Sequence, residues 1–371
     1  GCPIGTCIMN LTQTIENVTA KVAPTAERFI PTCQVSHLAS RGDPKYNKNY
    51  RNNPSFLIHH YDPESDTYKN IIIDVGKTFR EGAMRWFPEF QIQSLDAIIL
   101  THEHMDAAAG LDDVRGFQRF ESPPPPPINS PSKDGSLTQP LRRIPVPLYL
   151  SQHCLEQLQG QFPFLLPKKS PAKPIDRCCS DPAPSTTTTT TDAPSMPSKP
   201  IVHRDVAGFD VNIFQPYQPM HIQGLKIIPL PVWHGDDLIS YGFAFSIPTT
   251  TSDHQEDSPS VINVVYLSDI SRMVPETLDF IQKELPPTDI LVVDALLWRR
   301  QHPTHYSLEQ AVELRNQIQP RLQTYLVGMS CEHYPPHEEM ETYLQSTYGN
   351  VAMAHDGLVI PLEQQKIEAW L

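Results

Sequence analysis

Residues 101–110 read THEHMDAAAG, directly after the apolar run LDAIIL. His102, His104 and Asp106 stand at alternate positions, and alternate residues of an extended chain point to one side. Two imidazoles placed this way can reach one ion at about 2 Å. Asp106 can then bind a second ion or hold a metal-bound water. A water on zinc has its pKa lowered to about 7 and supplies hydroxide at neutral pH. Such a site needs further ligands, and the chain offers them at other strand ends. His234 follows IIPLPVW, Asp269 follows VVYLS, and His302 and His305 precede SLEQAVELRNQI. Taken singly, Asp269 could cap a helix and His305 could be a loop residue. Taken together, they fall where open α/β architectures gather their ligands, at the carboxyl ends of strands.

The elements that would position these groups alternate along the chain. Strands are expected at PSFLIHHY, NIIIDV, DAIIL, VPLYL, LKIIPLPV, LISYGFAFSI, VINVVYL, DILVVDAL and TYLVG. Helices are expected at 77–87, after His104, and at 152–160, 274–285, 307–319 and 336–348, with Ser307 as an N-cap. Strands crowd the early half and helices alternate with strands later. This predicts two packed sheets with helices outside, a layered α/β sandwich.

Two segments break the pattern, 121–140 (ESPPPPPINSPSKDGSLTQP) and 167–200, which contains STTTTTTDAPSMPSKP. Neither has a hydrophobic period, so both are expected to be disordered insertions in a single domain spanning 1–371. Proline-rich segments of this kind are docking ligands for protein partners. The 39 prolines of the 371-residue chain reflect them. A net charge of −13 argues against a general nucleic-acid binder, which needs a basic surface. No apolar run reaches bilayer length and no basic-then-apolar signal pattern is present, so no membrane contact and a cytoplasmic location are expected. The seven scattered cysteines are not a disulfide framework, and a reducing compartment is the default.

The order IIIDVG, ILTHEHMDAAAG, PVWHG, YLSDIS and YLVGMS resembles the metallo-β-lactamase-fold hydrolases. Within them it is most similar to the branch of the cyclic phosphodiesterase of phosphonate breakdown and the tRNA 3′-processing endonucleases. The resemblance covers nearly the whole chain outside the insertions and implies a four-layer αββα sandwich. It specifies the fold better than the substrate, because this fold hosts many hydrolyses.

Residue by residue, the resemblance implies His102, His104 and His234 as ligands of a first metal, Asp269 as a bridging carboxylate, and Asp106 at a second metal. Ala107 and Gly328 stand where the family places two further histidines of that second site. One ion is therefore expected, zinc by default with manganese as the alternative, and two ions remain open. In one reading Asp106 serves as general base or water anchor, and His305 protonates the leaving oxygen or binds a phosphoryl oxygen. Asp74 of IIIDVG is expected to orient the metal loop. Asp112, Asp113 and Arg115 of GLDDVR either lie near the site or form helix-end ion pairs. The relative's structural zinc site would fall on Cys33, His37 and Cys331, with Cys2, Cys7 or His333 as a fourth ligand. Ser36 interrupts its Cys-x-x-Cys, and ordinary reduced thiols are the competing reading. The expected reaction is hydrolysis of a small phosphodiester by a metal-bound hydroxide. A hydrolase of neutral carboxylic esters, thioesters or lactones, and a degenerate binding protein, are the rivals.

Overall fold

The computed structural model describes residues 33–121, 142–167, 206–249, 260–331, 333–361 and 368–370. Apart from Glu121 and Pro167, the two expected insertions lie outside these residues.

Two seven-stranded sheets form the centre of the molecule. In spatial order the first contains Val359–Pro361, Glu368–Trp370, Phe56–Asp62, Thr67–Ile73, Ala97–Ile99, Val146–Leu150 and Phe209–Ile213. The second contains Val351–Met353, Gln323–Val327, Ile290–Asp294, Ser260–Leu267, Leu238–Thr249, Leu225–His234 and Met220–Ile222. Within each sheet a block of strands is parallel: Thr67–Ile73 through Phe209–Ile213 in the first, and Ser260–Leu267 through Val351–Met353 in the second.

The central strands, such as Ala97–Ile99 and Ile290–Asp294, are buried on both faces, which is why they read as continuous apolar runs and not as alternating ones. Ile71, Ile73 and Ile58 pack between the sheets with Ile227, Phe243, Tyr266 and Val292. Their neighbours Ile72 and Leu57 face outward onto Phe79, Ala83 and Leu158, which belong to helices Phe79–Trp86 and Gln152–Gln161. On the opposite outer face, Leu291 and Val293 meet Ile281, Leu314 and Met340, from helices Pro275–Lys283, Leu308–Ile318 and His337–Tyr348. The result is the expected αββα arrangement.

Ser307 caps its helix through a reciprocal capping box with Gln310, and Ser151 caps Gln152–Gln161 by accepting from the backbone N–H of Cys154. The helix expected after His104 is only Met105–Ala108, followed by a 3₁₀ segment, Leu111–Phe117. No helix among the described residues is long and apolar enough to cross a membrane.

Candidate metal centre

The carboxyl ends of the parallel strands meet at one edge of the sandwich. Asp74 follows Ile73, His102 lies three residues beyond Ile99, Asp269 lies two beyond Leu267, and Asp294 closes its strand. Asp74 and Asp269 both adopt left-handed backbone, at φ 63° and 51°. Non-glycine residues rarely do so, and where they do the surrounding structure must hold them. Close lacing of the loops does this. Val75 N–H donates to the Ala107 carbonyl at 2.7 Å, and Gly110 N–H donates to the Val75 carbonyl at 2.7 Å. A Cβ on Gly76 would lie 1.7 Å from the Asp106 carbonyl oxygen, so only glycine permits this approach.

His102, His104 and His234 converge, each offering one ring nitrogen within 4.8 Å of the others. Their ring centroids are 4.5, 5.0 and 5.2 Å apart. The other ring nitrogen is engaged in two of them. Thr101 donates from its N–H and its hydroxyl to the Asp74 carboxylate, at 2.9 and 2.8 Å, and its Oγ1 lies 2.9 Å from His102 Nδ1. His234 Nδ1 lies 2.7 Å from the Thr304 carbonyl, which can only accept, so Nδ1 carries the proton and Nε2 is the free lone pair. Asp74 thus reaches His102 through Thr101.

His234, Asp269 and His305 form a second group whose ligand atoms also lie within 4.8 Å of one another. His305 Nδ1 is 2.6 Å from Asp294 Oδ2 and 3.9 Å from Asp269 Oδ1. Asp106 Oδ1 lies 3.9 Å from His102 Nε2. Asp106 reaches the cluster from the first turn of Met105–Ala108, not by continuing the extended alternation. His102 lies before that helix, so the two side chains approach across the bend at 103–104.

Burial lowers the pKa of His102 and brings His234 down to about 4, with Asp269 opposing in both cases. Both imidazoles are therefore neutral at pH 7 and free to act as ligands. For His305 burial pulls downward, but Asp294 and then Asp269 and Asp106 outweigh it and raise the group to about 9. Burial raises Asp294, and the His305 cation opposes the rise. The 2.6 Å contact is thus an imidazolium–carboxylate pair at neutral pH.

Three buried atoms here have no hydrogen-bond partner among the described residues: His102 Nε2, Asp106 Oδ1 and Asp294 Oδ1. Of these, His102 Nε2 belongs to the three-histidine group, and three converging imidazole nitrogens are a donor set suited to a divalent cation. Buried polar atoms are rarely left unpaired, and the chemistry of this set fits an ion.

Other sequence expectations fall elsewhere. His302 is turned onto its own loop, where its Nδ1 contacts the Thr304 hydroxyl. Asp112 pairs with Arg115 and Asp113 with Arg80, each at 3.7 Å, so these groups make surface ion pairs. Of the cysteine and histidine group, Cys33 and Cys331 pack together with Val35, and Cys2 and Cys7 lie outside the described residues. The free Cys33 thiol donates to the Cys331 carbonyl at 3.3 Å. Among the described residues, Cys33, His37 and Cys331 do not form a group of three ligand atoms within 4.8 Å of one another. Asp294, conversely, received no role from sequence. Its signal was available: like Asp269, it is an acid at the end of an all-apolar strand.

A family model described as a β-lactamase superfamily domain matches residues 69–130, the segment that carries His102, His104 and Asp106. Among solved structures, a diphosphatase from the PhnP family is similar at a TM-score of 0.55 and 24% identity, over 90% of this chain and 91% of that one. Zinc-bound PqqB from Methylobacterium extorquens is similar at 0.54 and 13%, over 89% and 93%. An octanoyltransferase from Porphyromonas gingivalis is 21% identical over 305 residues, covering 82% of this chain and 44% of that protein. The chain therefore spans about half the length of the curated relative it matches.

Proposed function

We propose that this chain, which has the metallo-β-lactamase fold, is a metal-dependent hydrolase of phosphodiesters or closely related phosphate esters. The observation that carries the reading is the three-imidazole cluster backed by Asp269, with a free nitrogen lone pair fixed on His234 by the Thr304 carbonyl. His102, His104, His234 and Asp269 would hold the ion, which when bound supplies Lewis acidity and an acidified water. Asp106 would orient an attacking water and take up its proton. His305, held through Nδ1 by Asp294, presents Nε2 to the leaving oxygen and donates a proton there. The likeness to a PhnP-family diphosphatase supports a phosphate ester as substrate.

A second ion, held by Asp106, Asp269 and His305, is the competing use of the same atoms. The His234–Asp269–His305 grouping supports it. A neutral acyl ester is the competing substrate, supported by the apolar cavity wall of Leu57, Ile72, Phe87 and Phe90. Elemental mass spectrometry of the purified chain, with His102→Ala as control, tests the reading. It should find about one zinc or manganese ion per chain, lost in the variant, together with turnover of bis(p-nitrophenyl) phosphate in preference to p-nitrophenyl acetate. Two ions would assign His305 to coordination. No metal after reconstitution with either ion would overturn the reading.

A further inference from the structure

The cavity of about 460 Å³ that reaches Asp106, Asp269 and His305 is also lined by Leu57, Ile72, Phe79, Ala83, Phe87 and Phe90. The fold explains how an apolar wall comes to stand beside an ion site. Leu57 and Ile72 are register partners on the outer face of the first sheet. Helix Phe79–Trp86 covers that face, and Phe79, Ala83 and Phe87 follow one another at helical i, i+4 spacing along its inner side. The same strand and turn lead into both wall and site. Ile72 is two residues before Asp74, and Gly76, whose backbone meets the Asp106 carbonyl, is three residues before Phe79. A Cβ on Gly110, in the loop after Asp106, would lie 2.7 Å from Phe79 Cβ.

None of these wall side chains carries a hydrogen-bond donor or acceptor. A charged or hydroxylated group set against them would lose its water without replacement, whereas an apolar group gains by leaving water. Ala83 keeps room on the wall. It is the small residue between two phenylalanines whose ring centroids are 6.1 Å apart. Trp86 extends the wall, stacked on Phe90 at 6.0 Å and 9° and seated against Gly357, where a Cβ would lie 2.4 Å from the indole. On the facing segment the backbone N–H groups of Asn52 and Asn53 are already taken, by Asp356 and Thr78.

We infer that the substrate carries an apolar ester group, an alkyl chain or aryl ring, which packs on the wall from Phe79 to Phe90 while its phosphate lies at the histidine cluster. A cavity of this volume takes a whole small molecule and not merely a scissile bond. Ala83 then sets the size of the group admitted. The inference rests on the phosphate-ester reading for the group at the ion and adds the chemistry of the group attached to it.

The test is calorimetric titration of the full chain, reconstituted with zinc, with methyl-, butyl- and hexylphosphonate. These probes keep one head group and vary only the apolar tail. In wild type each added methylene should tighten binding about two- to fourfold. Ala83→Leu, which fills the space, should cut the gain from methyl to hexyl about tenfold or more. Phe90→Ala removes part of the wall at a half-buried position without crowding the core, and should cut the gain about threefold or more. It decides the matter if the leucine variant does not fold. Hexylphosphonate bound no more tightly than methylphosphonate by wild type would overturn the inference. So would a gain that both variants keep in full, because the tail would then lie off the helix wall. The two readings fail separately. Turnover of bis(p-nitrophenyl) phosphate without any gain from the tail would sink the apolar group alone. A gain from the tail in a wild type that turns over no ester would sink hydrolysis alone.

Discussion

The two sides of Asp269 are built differently. On one side stand His102, His104 and His234, two of them with the rear nitrogen pinned by Thr101 or by the Thr304 carbonyl. On the other stand Asp106, His305 and Asp294, with Gly328 behind them. His102 and His234 are pinned from behind and kept neutral by burial, as ligands of a fixed ion should be. The acid side holds an ion pair, and two of its carboxylate oxygens have no partner. That side has the character of a place where protons move. Gly328 explains why no further histidine stands there: its φ is 74°, and a Cβ would lie 2.6 Å from Asp294 Oδ1. The Asp294 carboxylate already fills the space in front of Gly328.

The largest effect that could break this contrast is on turnover. His305→Gln keeps a polar side chain but removes the proton donor, and should lower kcat about 10²- to 10³-fold with metal content unchanged. Asp294→Asn, which loses the carboxylate that supports the imidazolium, should do somewhat less. Steady-state kinetics paired with elemental analysis decides the matter. Metal lost in step with kcat would make His305 a ligand, and the two sides would then be alike.

A smaller effect bears on Gly328. Gly328→Ala forces a side chain into left-handed backbone and against Asp294 Oδ1. The combined strain and crowding should cost about 3 kcal/mol, read by chemical denaturation, with kcat reduced because Asp294 must move. An alanine variant with unchanged stability and kcat would mean that the Asp294 carboxylate is not confined as described.

The histidine side was far more legible in the sequence than the acid side. His102, His104, His234 and Asp269 each follow an apolar strand, and strand ends converge in this architecture by rule. Asp294 follows one too, but its meaning lies in the contact with His305, eleven residues later and across a loop. The same division runs through the fold. The two-sided apolar strands were plain, whereas Phe209–Ile213 and Met220–Ile222 were not read as strands. Both lie at sheet edges, with few apolar residues buried to mark them.

The smallest predicted effect sharpens the contrast from outside the ion site. His337 is buried to 1% exposure, and its Nδ1 has no partner among the described residues. Burial, with help from His355, Arg51 and Lys48, lowers its pKa to about 3; the nearest carboxylate, Glu341, is 4.0 Å away. In the unfolded chain the group titrates near 6.5. As pH falls below 6.5, the unfolded state takes up a proton that the folded state refuses until about pH 3, so acidification through this window removes stability. At pH 5 the loss from His337 alone should be about 2 kcal/mol relative to pH 7. His234 shifts in the same direction, but a bound ion also governs its titration. Denaturant unfolding of wild type and His337→Gln at pH 7 and pH 5, both loaded with metal, cancels the His234 contribution in the difference. The glutamine variant should lose less stability than wild type by that amount. Equal losses would mean that His337 accepts its proton in the folded state. Acid sensitivity would then reside in the histidine cluster, and the pinned side of the molecule would also be the one that pH controls.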